Sequence, residues 1–377
     1  MKSVGTVPSH RPVVARSMSS ASSLEVSRSC PTCSRLYSPM ANYCAVDGSV
    51  LVPSAEDPFV GETVLDRYQI ERRLGKGGMG EVFLAYDLRL RRQVAIKYVR
   101  GAFFSEVEAT ARLEREARNA AALDHENLIR VFDLSQWGDD LVLVMEYAAG
   151  STLQEVIRIE APLHVSVVSA ITSQLSDGLT TMHRKGLVHR DLKPSNVILT
   201  WTPRRELRAK ILDFGIARAF DDPSQSITAK GIAVGTAAYM PPEQLAGIAL
   251  DLRADVFALA AVAAHMLAGR LHRPDAGRSL SLKHVPRSDS WSDALKACIE
   301  SGLAPNRKAR TRTPREFASQ LREAAIELSG SAPGSGRLIS SEAFPTVSAE
   351  NDEVPLTETV VSEDVPTIDD APSPWPR

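Results

Sequence analysis

Alternating hydrophobic and polar positions dominate the part of the chain that begins near residue 68, and helical spacing follows. The run EVFLAY, residues 81–86, alternates as a strand does, and RQVAIKYV, residues 92–99, predicts a second strand. The segment TARLEREARNAAAL, residues 110–123, repeats with the spacing of a helix. The pattern therefore predicts a sheet first and helices after it.

The longest apolar run, residues 256–268, is interrupted by His265 and predicts a buried helix. It falls short of the roughly 18 apolar residues that span a bilayer. The N-terminus has no apolar core of the kind that a signal peptide carries. We therefore expect a cytoplasmic protein that does not contact the membrane.

Shifts in composition divide the chain into five parts. The folded parts that we predict are a short cysteine-bearing module, 30–53, and a large domain, 68–328. A Ser- and Arg-rich segment, 1–29, predicts disorder, and 54–67 predicts a linker. A Ser/Gly/Pro linker and an acidic tail make up 329–377, which we also expect to be disordered.

Charge and cysteine content narrow the class of protein. The 377 residues carry a net charge of −2, which argues against a bulk binder of nucleic acid or membrane. Residues 331–377 hold nine acidic and two basic side chains, so the negative charge is concentrated in the tail. The four cysteines do not form the dense, even pattern of a secreted disulfide scaffold, which favours a reducing compartment.

A glycine-rich loop lies near the start of the large domain, directly before the first of the two predicted strands. Gly75, Gly77 and Gly80 have the spacing G-x-G-x-x-G, which dinucleotide-binding folds also use. In those folds a helix follows the loop, whereas here the strand 81–86 follows. The loop is therefore predicted to be a hairpin lid over phosphates, where glycine lets the backbone approach closely.

The second predicted strand ends in a lysine that could neutralise phosphate. This residue is Lys97, and an ammonium group held on a strand needs an acidic partner. On the predicted helix, Glu116 borders the apolar face, whereas Glu114 points away from it. Glu116 is therefore the better partner. Taken alone, both residues could equally be ordinary surface charges.

Three further motifs lie in order along the chain: HRDLKPSN at 189–196, DFG at 213–215 and PPE at 241–243. Phosphoryl transfer requires charge neutralisation and an aimed hydroxyl. Asp213 and Asn196 are suited to hold Mg²⁺ or Mn²⁺, and Asp191 to orient the hydroxyl and accept its proton. Lys193 could reach the transferring phosphate.

Together these motifs resemble the signature set of the eukaryotic-type (Hanks-type) serine/threonine protein kinases of bacteria, over about two-thirds of the chain. The resemblance implies an α+β bilobal fold, with an antiparallel β-rich N-lobe plus a helix, a mainly α C-lobe and ATP in the cleft. It assigns the catalytic roles to Asp191, Lys193, Lys97 and Glu116. It also implies a set of adenine contacts: Leu74, Val82, Ala95 and Ile198 around the ring, backbone bonds from Glu146 and Ala148, and Met145 at the back.

The same resemblance predicts specificity and regulation. The DLKPxN form is similar to that of serine/threonine kinases, and Thr236 fits the threonine that lies beside the catalytic residues. Arg190 would meet a phosphate on the segment 213–243, where Thr228 is our preferred autophosphorylation site. The stretch after Gly269 is shorter than is usual in the family. The preference for particular protein substrates is therefore not carried over.

Several polar residues have structural interpretations instead. Asp255 is expected to brace the catalytic loop, and Glu243 with Arg310 resembles a buried ion pair. His125 and His183 are expected to pack or to lie at helix ends. Cys298 lies on an apolar helical stretch and predicts plain core.

The cysteine module has the spacing of a zinc ribbon. Cys30 and Cys33 form one Cys-x2-Cys pair, and Cys44 with Asp47 forms a second pair of the same spacing. The module is similar to the zinc ribbons that precede various bacterial kinases, and it is too small to fold without a staple. A degenerate ribbon without metal is the alternative. A folded ribbon would bind a protein partner.

Two other functions remain open at this stage. One is a pseudokinase scaffold that binds partners through the ribbon and the tail, although every catalytic position is occupied. The other is a nucleic-acid-binding ribbon, which the slight positive charge of the module disfavours. The expected partners are therefore ATP, proteins with Ser or Thr acceptors and a protein bound by the ribbon.

Overall fold

A computed structural model describes residues 28–30, 36–37, 41–44, 48–53, 59–77, 80–99, 121–138, 140–212, 236–272 and 279–329. The first element is a small antiparallel sheet with the strand order β2-β1-β3. Its strands are β1 (Arg28–Ser29), β2 (Leu36–Tyr37) and β3 (Val52–Pro53). We assigned residues 28 and 29 to the disordered N-terminal segment. They form the central strand of this sheet and pair with both β2 and β3.

The N-lobe is a six-stranded antiparallel sheet with the order β4-β5-β6-β7-β9-β8. Its strands are β4 (Thr63–Val64), β5 (Tyr68–Gly77), β6 (Gly80–Asp87), β7 (Arg92–Val99), β8 (Val131–Trp137) and β9 (Asp140–Glu146). The two strands predicted from alternation are β6 and β7. Because successive side chains point to opposite faces, the sheet has two different buried surfaces.

Residues that precede β5 in sequence also pack against the N-lobe sheet. Phe59 packs against Phe83, Tyr98 and Trp137, with ring centroids 5.5, 5.4 and 6.4 Å away. Ile70 donates its N–H to the carbonyl of Glu62 at 2.9 Å, ahead of the β4–β5 pairing. The described part of the segment that we predicted as a linker, 59–67, is thus built into the N-lobe. A two-residue strand carries no periodicity from which it could be recognised.

The C-lobe is mainly helical. Its elements are β10 (Ser151–Thr152), α1 (Leu153–Glu160), α2 (Val165–Arg184), β11 (Val197–Trp201), β12 (Leu207–Ile211), α3 (Pro242–Leu245), α4 (Arg253–Ala268), α5 (Asp293–Gly302) and α6 (Pro314–Ser329). The predicted apolar helix 256–268 is most of α4, which is buried on all sides from Ala254 onward. A helix that is apolar around its whole circumference belongs in the centre of a domain. Helices α2, α5 and α6 surround it. Among the described residues, no helix is both long and apolar enough to cross a membrane.

The two lobes are joined beside β12. Ile129 donates its N–H to the carbonyl of Ile211 at 3.0 Å, and Ile211 donates to the carbonyl of Asn127 at 2.9 Å. The buried Asn127 amide also donates to the carbonyl of Ala209 at 2.8 Å and to the side chain of Gln174 at 3.1 Å. This network fixes the end of β12, and with it the residue that leads into the DFG motif.

The expected ion pair between Glu243 and Arg310 is present and closed to water. Two guanidinium nitrogens donate to the two carboxylate oxygens at 2.7 and 3.0 Å, and the arginine side chain is 0% exposed. The guanidinium also donates to the carbonyls of Ala304 and Arg253. It therefore ties α3, the start of α4 and the loop before α6 to one another.

We expect Arg310→Met to lower the free energy of unfolding by about 3–5 kcal/mol, because it leaves the Glu243 carboxylate buried without its partner. The matched control is Arg315→Met, which breaks an exposed ion pair with Asp177 and should cost at most about 1 kcal/mol. Urea unfolding measures both. Equal losses for the two variants would contradict a buried role for Arg310.

Candidate active site

The loop before β11 brings two of the predicted catalytic residues, Asp191 and Lys193, together with the predicted magnesium ligand Asn196. Lys193 Nζ lies 2.9 Å from Asp191 Oδ2, and Asn196 Nδ2 donates to the same oxygen at 3.0 Å and to the Asp191 carbonyl at 2.9 Å. Within the described part of the chain, no side chain donates to Oδ1 of Asp191. The Asp191 side chain is 23% exposed, so this second oxygen can meet a hydroxyl group from outside.

A buried carboxylate fixes the backbone of this loop. Asp255 is 0% exposed and accepts N–H bonds from His189 at 2.8 Å and from Arg190 at 2.9 Å. Its Oδ2 also lies 2.8 Å from His183 Nε2. Arg190 has a φ of 67°, a strained value for a residue with a side chain. The hydrogen bonds to Asp255 stabilise this conformation immediately before Asp191.

Gln244 holds the same residue from the other side. Its buried side chain donates to the carbonyl of Arg190 at 3.0 Å. Both backbone polar groups of Arg190 are therefore used, while its side chain is exposed. Gln244 was not among the predicted site residues. Its position directly after the PPE motif at 241–243 gives no sign of this contact.

His189 links the loop to the residue before the DFG motif. The Asp191 N–H approaches His189 Nδ1 at 3.3 Å, so the proton is on Nε2, which donates to the carbonyl of Leu212 at 2.9 Å. Leu212 in turn donates its N–H to the carbonyl of Asn196 at 2.8 Å. Asp213 lies outside the described residues. The residue before it is nevertheless held directly beside Asn196, the other predicted magnesium ligand.

The predicted adenine contacts form one apolar cluster between the lobes. Its buried members are Ala95, Ile129, Met145 and Ala148, and partly buried residues packed against them are Leu74, Val82, Tyr147, Ile198 and Leu212. Ile198 belongs to β11 of the C-lobe, and Leu74 and Val82 belong to the N-lobe sheet. Ile129, Tyr147 and Leu212 were not predicted, because no local pattern distinguishes them from other core residues.

The backbone at the end of β9 limits how Glu146 could contact a base. Its N–H donates to the carbonyl of Arg130 at 2.9 Å, so an adenine contact would use its carbonyl oxygen. Its carboxylate lies 2.8 Å from Lys210 Nζ on β12 and thus braces this connection between the lobes. Ala148, the other predicted backbone contact, is buried in the cluster above.

The glycines of the predicted lid lie on the β5–β6 hairpin. Gly75 pairs with Val82, and Gly77 pairs with Gly80. A Cβ atom added at Gly75 would meet nothing within 4 Å, whereas one at Gly80 would lie 2.0 Å from the carbonyl oxygen of Tyr98. Gly80 is therefore required by the contact between β6 and β7. This packing reason differs from the phosphate contact that we expected for all three glycines.

Lys97 lies on β7, on the same face of the sheet as Ala95, and only 8% of its surface is exposed. In the sheet it pairs with Val82 of β6 on one side and with Leu143 of β9 on the other. Its predicted partner, Glu116, lies outside the described residues. The position of Lys97 beside the apolar cluster suits an ammonium group that contacts phosphate.

Comparison with known proteins agrees with this geometry. The family profile described as the protein kinase domain matches residues 68–321. The chain belongs to the protein kinase family. The bilobal arrangement of an antiparallel N-lobe and a helical C-lobe is thereby confirmed.

Several bacterial kinases are similar to this chain. The serine/threonine-protein kinase pkn3 of Myxococcus xanthus is 36% identical over 281 residues, which cover 70% of this chain and 51% of that protein. PknB of Mycobacterium tuberculosis is 35% identical over 269 residues, covering 68% of this chain and 42% of PknB. The crystal structure of the PknI kinase domain of Mycobacterium tuberculosis has a TM-score of 0.56 and 30% identity, and covers 71% of this chain and 98% of that domain. The kinase thus spans about half, or less, of the length of these two curated relatives.

The predicted regulatory residues of the kinase are only partly described. Thr236 begins a short 3₁₀ helix, Thr236–Tyr239, that leads to α3. Thr228 lies outside the described residues. Arg190 is exposed, as a residue that meets a phosphate group must be. Its role and that of Thr228 stay predictions.

The histidines and the cysteine that we interpreted as structural contact the protein interior rather than the catalytic carboxylate. His183 contacts Asp255, and Nδ1 of His125 accepts the N–H of Asn127 at 3.1 Å. Burial lowers the pKa of His125 below its ordinary value. Burial also raises the pKa of the Cys298 thiol to about 12, so this cysteine is an unreactive core residue.

The described part of the N-terminal module contains two of the four predicted zinc ligands. Cys30 and Cys44 are 1% and 2% exposed and share a small core with Leu51. Gly48 donates its N–H to the Cys44 carbonyl at 2.9 Å. Cys33 and Asp47 lie outside the described residues. Among the residues that are described, no three metal-binding side chains form a group.

We expect Gln244→Met to lower kcat of the kinase about tenfold, because it releases the Arg190 carbonyl and loosens the backbone beside Asp191. Gln320→Met is the matched control, since it removes a partly buried amide of α6 that accepts hydrogen bonds from the hydroxyl groups of Ser301 and Thr311 instead. Both changes should cost about 1–3 kcal/mol of stability, measured by urea unfolding. Equal losses of kcat in the two variants would mean that Gln244 acts only on stability.

Proposed function

We propose that this chain is a serine/threonine protein kinase, which transfers the γ-phosphoryl group of Mg·ATP to the hydroxyl groups of proteins. The observation that carries the proposal is the state of Asp191. One of its carboxylate oxygens is held by Lys193 and Asn196, the other accepts no hydrogen bond from the side chains of the described part of the chain, and the side chain is 23% exposed. This arrangement suits a carboxylate that orients a hydroxyl group and accepts its proton.

The residues present fit a divalent cation and a nucleotide. Because Asn196 uses Nδ2 to donate to Asp191, its Oδ1 is turned away and can bind a hard cation together with Asp213. Bound Mg²⁺ or Mn²⁺ would neutralise charge on the phosphates of ATP. The apolar cluster around Ala95 and Met145 provides a surface for the base, and Lys97 lies beside it.

The chain's own residues then divide the remaining work. Asp191 Oδ1 accepts the hydroxyl proton as the acceptor oxygen forms a bond to the γ-phosphorus, while the bond from that phosphorus to the β–γ bridging oxygen breaks and ADP leaves. Lys193, held 2.9 Å from Asp191, places positive charge next to the oxygens of the transferring group. Asp255 and Gln244 hold the backbone of Arg190, immediately before Asp191, so this alignment is present before the substrate binds.

We also propose that the kinase phosphorylates itself at Thr228 and that the exposed Arg190 side chain binds the phosphate. An arginine can pair with phosphate through two parallel hydrogen bonds. The new bond would order the segment between the DFG motif and Thr236. Support for this proposal is the exposure of Arg190 beside the catalytic loop.

The test is phosphate incorporation from labelled Mg·ATP, comparing the purified chain with Asp191→Asn. We expect incorporation to fall at least about 100-fold in the variant, because the amide cannot accept the proton. Mass spectrometry of the products locates the phosphates and asks whether Thr228 carries one. If neither the chain itself nor myelin basic protein becomes labelled although ATP binds, the chain is a scaffold of the pseudokinase kind.

For the N-terminal module we propose a structural zinc ion bound by Cys30, Cys33, Cys44 and Asp47, in a ribbon that binds a protein partner. Support comes from the shared burial of Cys30 and Cys44 and from the hydrogen bond between Gly48 and the Cys44 carbonyl. A thiolate pair needs a cation when it is buried. The zinc would staple the module without a role in phosphoryl transfer.

We expect one zinc ion per chain in native mass spectrometry, lost in Cys44→Ser because a hydroxyl is a far weaker ligand than a thiolate. Cys298→Ser is the control: that cysteine is buried in the C-lobe and should leave the zinc content unchanged. Absence of zinc from the wild type, or its retention in Cys44→Ser, would leave a ribbon without metal.

A further inference from the structure

The glycine hairpin carries a buried carboxylate that no step of the phosphoryl transfer uses. Glu81 lies on β6, directly after Gly80, and is only 4% exposed. A carboxylate that is removed from water is unfavourable unless cations or hydrogen-bond donors compensate its charge. An apolar side chain would pack in the same place without that cost. The groups around Glu81 therefore indicate what its charge does.

Two cations of the neighbouring strand β5 lie next to Glu81. Arg73 Nη2 is 3.0 Å from Oε2 of Glu81, and Lys76 Nζ is 3.2 Å from Oε1. The guanidinium group of Arg73 also lies over the ring of Phe83, 5.7 Å from its centroid. The two strands of the hairpin are thus joined by charge on the face of the sheet that carries Phe83, in addition to their backbone hydrogen bonds.

These ion pairs depend on an irregularity of β5. Leu74 is an extra residue in this strand, because its neighbours Arg73 and Gly75 pair with two successive residues of β6. Three positions separate Arg73 from Lys76, so in a regular strand their side chains would point to opposite faces. The extra residue places both cations on the face of Glu81.

The same irregularity directs Leu74 to the other face of the sheet. There it packs against the apolar cluster that contains Ala95 and Met145, which is the predicted adenine surface. A slip of this part of β5 by one residue would exchange the faces of its side chains. It would turn Leu74 away from the cluster and Arg73 away from Glu81. The register that compensates the buried charge is therefore the register that presents Leu74 to the base.

We propose that Glu81 is a positioning residue for ATP: by holding Arg73 and Lys76 it fixes the register of β5, which keeps Leu74 against the adenine ring. This inference rests on the proposed kinase function, and in particular on adenine binding at the apolar cluster. Glu81 and Leu74 lie on opposite faces of the sheet, so Glu81 acts through the strand and not by touching the nucleotide. Its contribution is to the affinity for ATP rather than to the attack by the acceptor hydroxyl.

The test measures the dissociation constant of Mg·ATP for the full chain by isothermal titration calorimetry. In Glu81→Gln we expect this constant to rise about tenfold, because a neutral amide no longer attracts two cations and β5 loses its preferred register. The constant for adenosine, measured by competition with ATP, should rise by the same factor, since Leu74 would contact the base and not the phosphates. KM for myelin basic protein should stay within about twofold of the wild-type value.

The matched control is Asp87→Asn. Asp87 is also a buried carboxylate of β6, 1% exposed, and lies 2.7 Å from Arg67 Nη2. It is about 20 Å from Glu81 along the strand, at the end of the hairpin away from Leu74. Both variants should lower the midpoint of urea unfolding, whereas Asp87→Asn should leave the dissociation constant of ATP within about twofold of wild type.

Two further variants test the route of the effect. Leu74→Ala alone should weaken the binding of ATP, and adding Glu81→Gln should weaken it little further, because the side chain that Glu81 positions is already gone. Arg73→Met removes the less exposed of the two cations and should also raise the dissociation constant of ATP. It gives an answer even if Glu81→Gln does not fold.

Several results would overturn the inference: unchanged binding of ATP in Glu81→Gln, an equal loss in Asp87→Asn, or additive effects of Glu81→Gln and Leu74→Ala. A loss for ATP without a loss for adenosine would also do so, since it would locate the effect at the phosphates. Failure of the proposed kinase function has a different signature. In that case the wild-type chain would bind ATP, and Glu81→Gln would bind it more weakly, but neither protein would label myelin basic protein. A wild-type chain that does not bind ATP would overturn both proposals.

Discussion

The active site depends on the buried carboxylate of Asp255. A carboxylate without water around it is stable only when hydrogen-bond donors surround it, and here two backbone N–H groups and a histidine do so. The same bonds hold Arg190 in a left-handed conformation that it would otherwise avoid. The requirement to satisfy one buried charge thus shapes the turn that presents Asp191. The hydrogen bonds to Asp255 therefore both stabilise the core and set the geometry of the site.

From this loop the order extends to the other lobe through backbone bonds. His189 and Asn196 together hold both polar groups of Leu212, and the residue before it, Ile211, is bonded to Asn127 and Ile129. Leu212 also packs into the apolar cluster that includes Met145 of β9. The same short stretch therefore contacts the catalytic loop on one side and the predicted adenine surface on the other. A change in the distance between the lobes would therefore affect both the catalytic loop and the predicted adenine surface.

Residues close in sequence, or joined by a recurrent motif, were predictable. The period of two residues located β6 and β7, and a continuous apolar run located α4. The kinase resemblance placed Asp191, Lys193 and Asn196 together and named Asp255 as a brace. Contacts between distant residues were not predictable. Gln244 bonds to Arg190 across 54 positions and Asn127 bonds to Gln174 across 47, with no local pattern at either end. The strand β4 was missed because pairing with β5, rather than periodicity, defines it.

The two buried polar side chains of α4 have related positions. Asp255 lies near its beginning and His265 near its end, ten residues or about 15 Å apart along the axis. Every other buried residue of the helix is apolar and packs in the core, whereas its two buried polar side chains bind segments outside the helix. Asp255 binds the catalytic loop, and His265 binds the segment that leads to α3. Because a packed helix does not stretch, the distance between these two segments is set by the rise of α4. The central helix of the C-lobe therefore sets the distance between the loop that carries Asp191 and the segment that leads to α3.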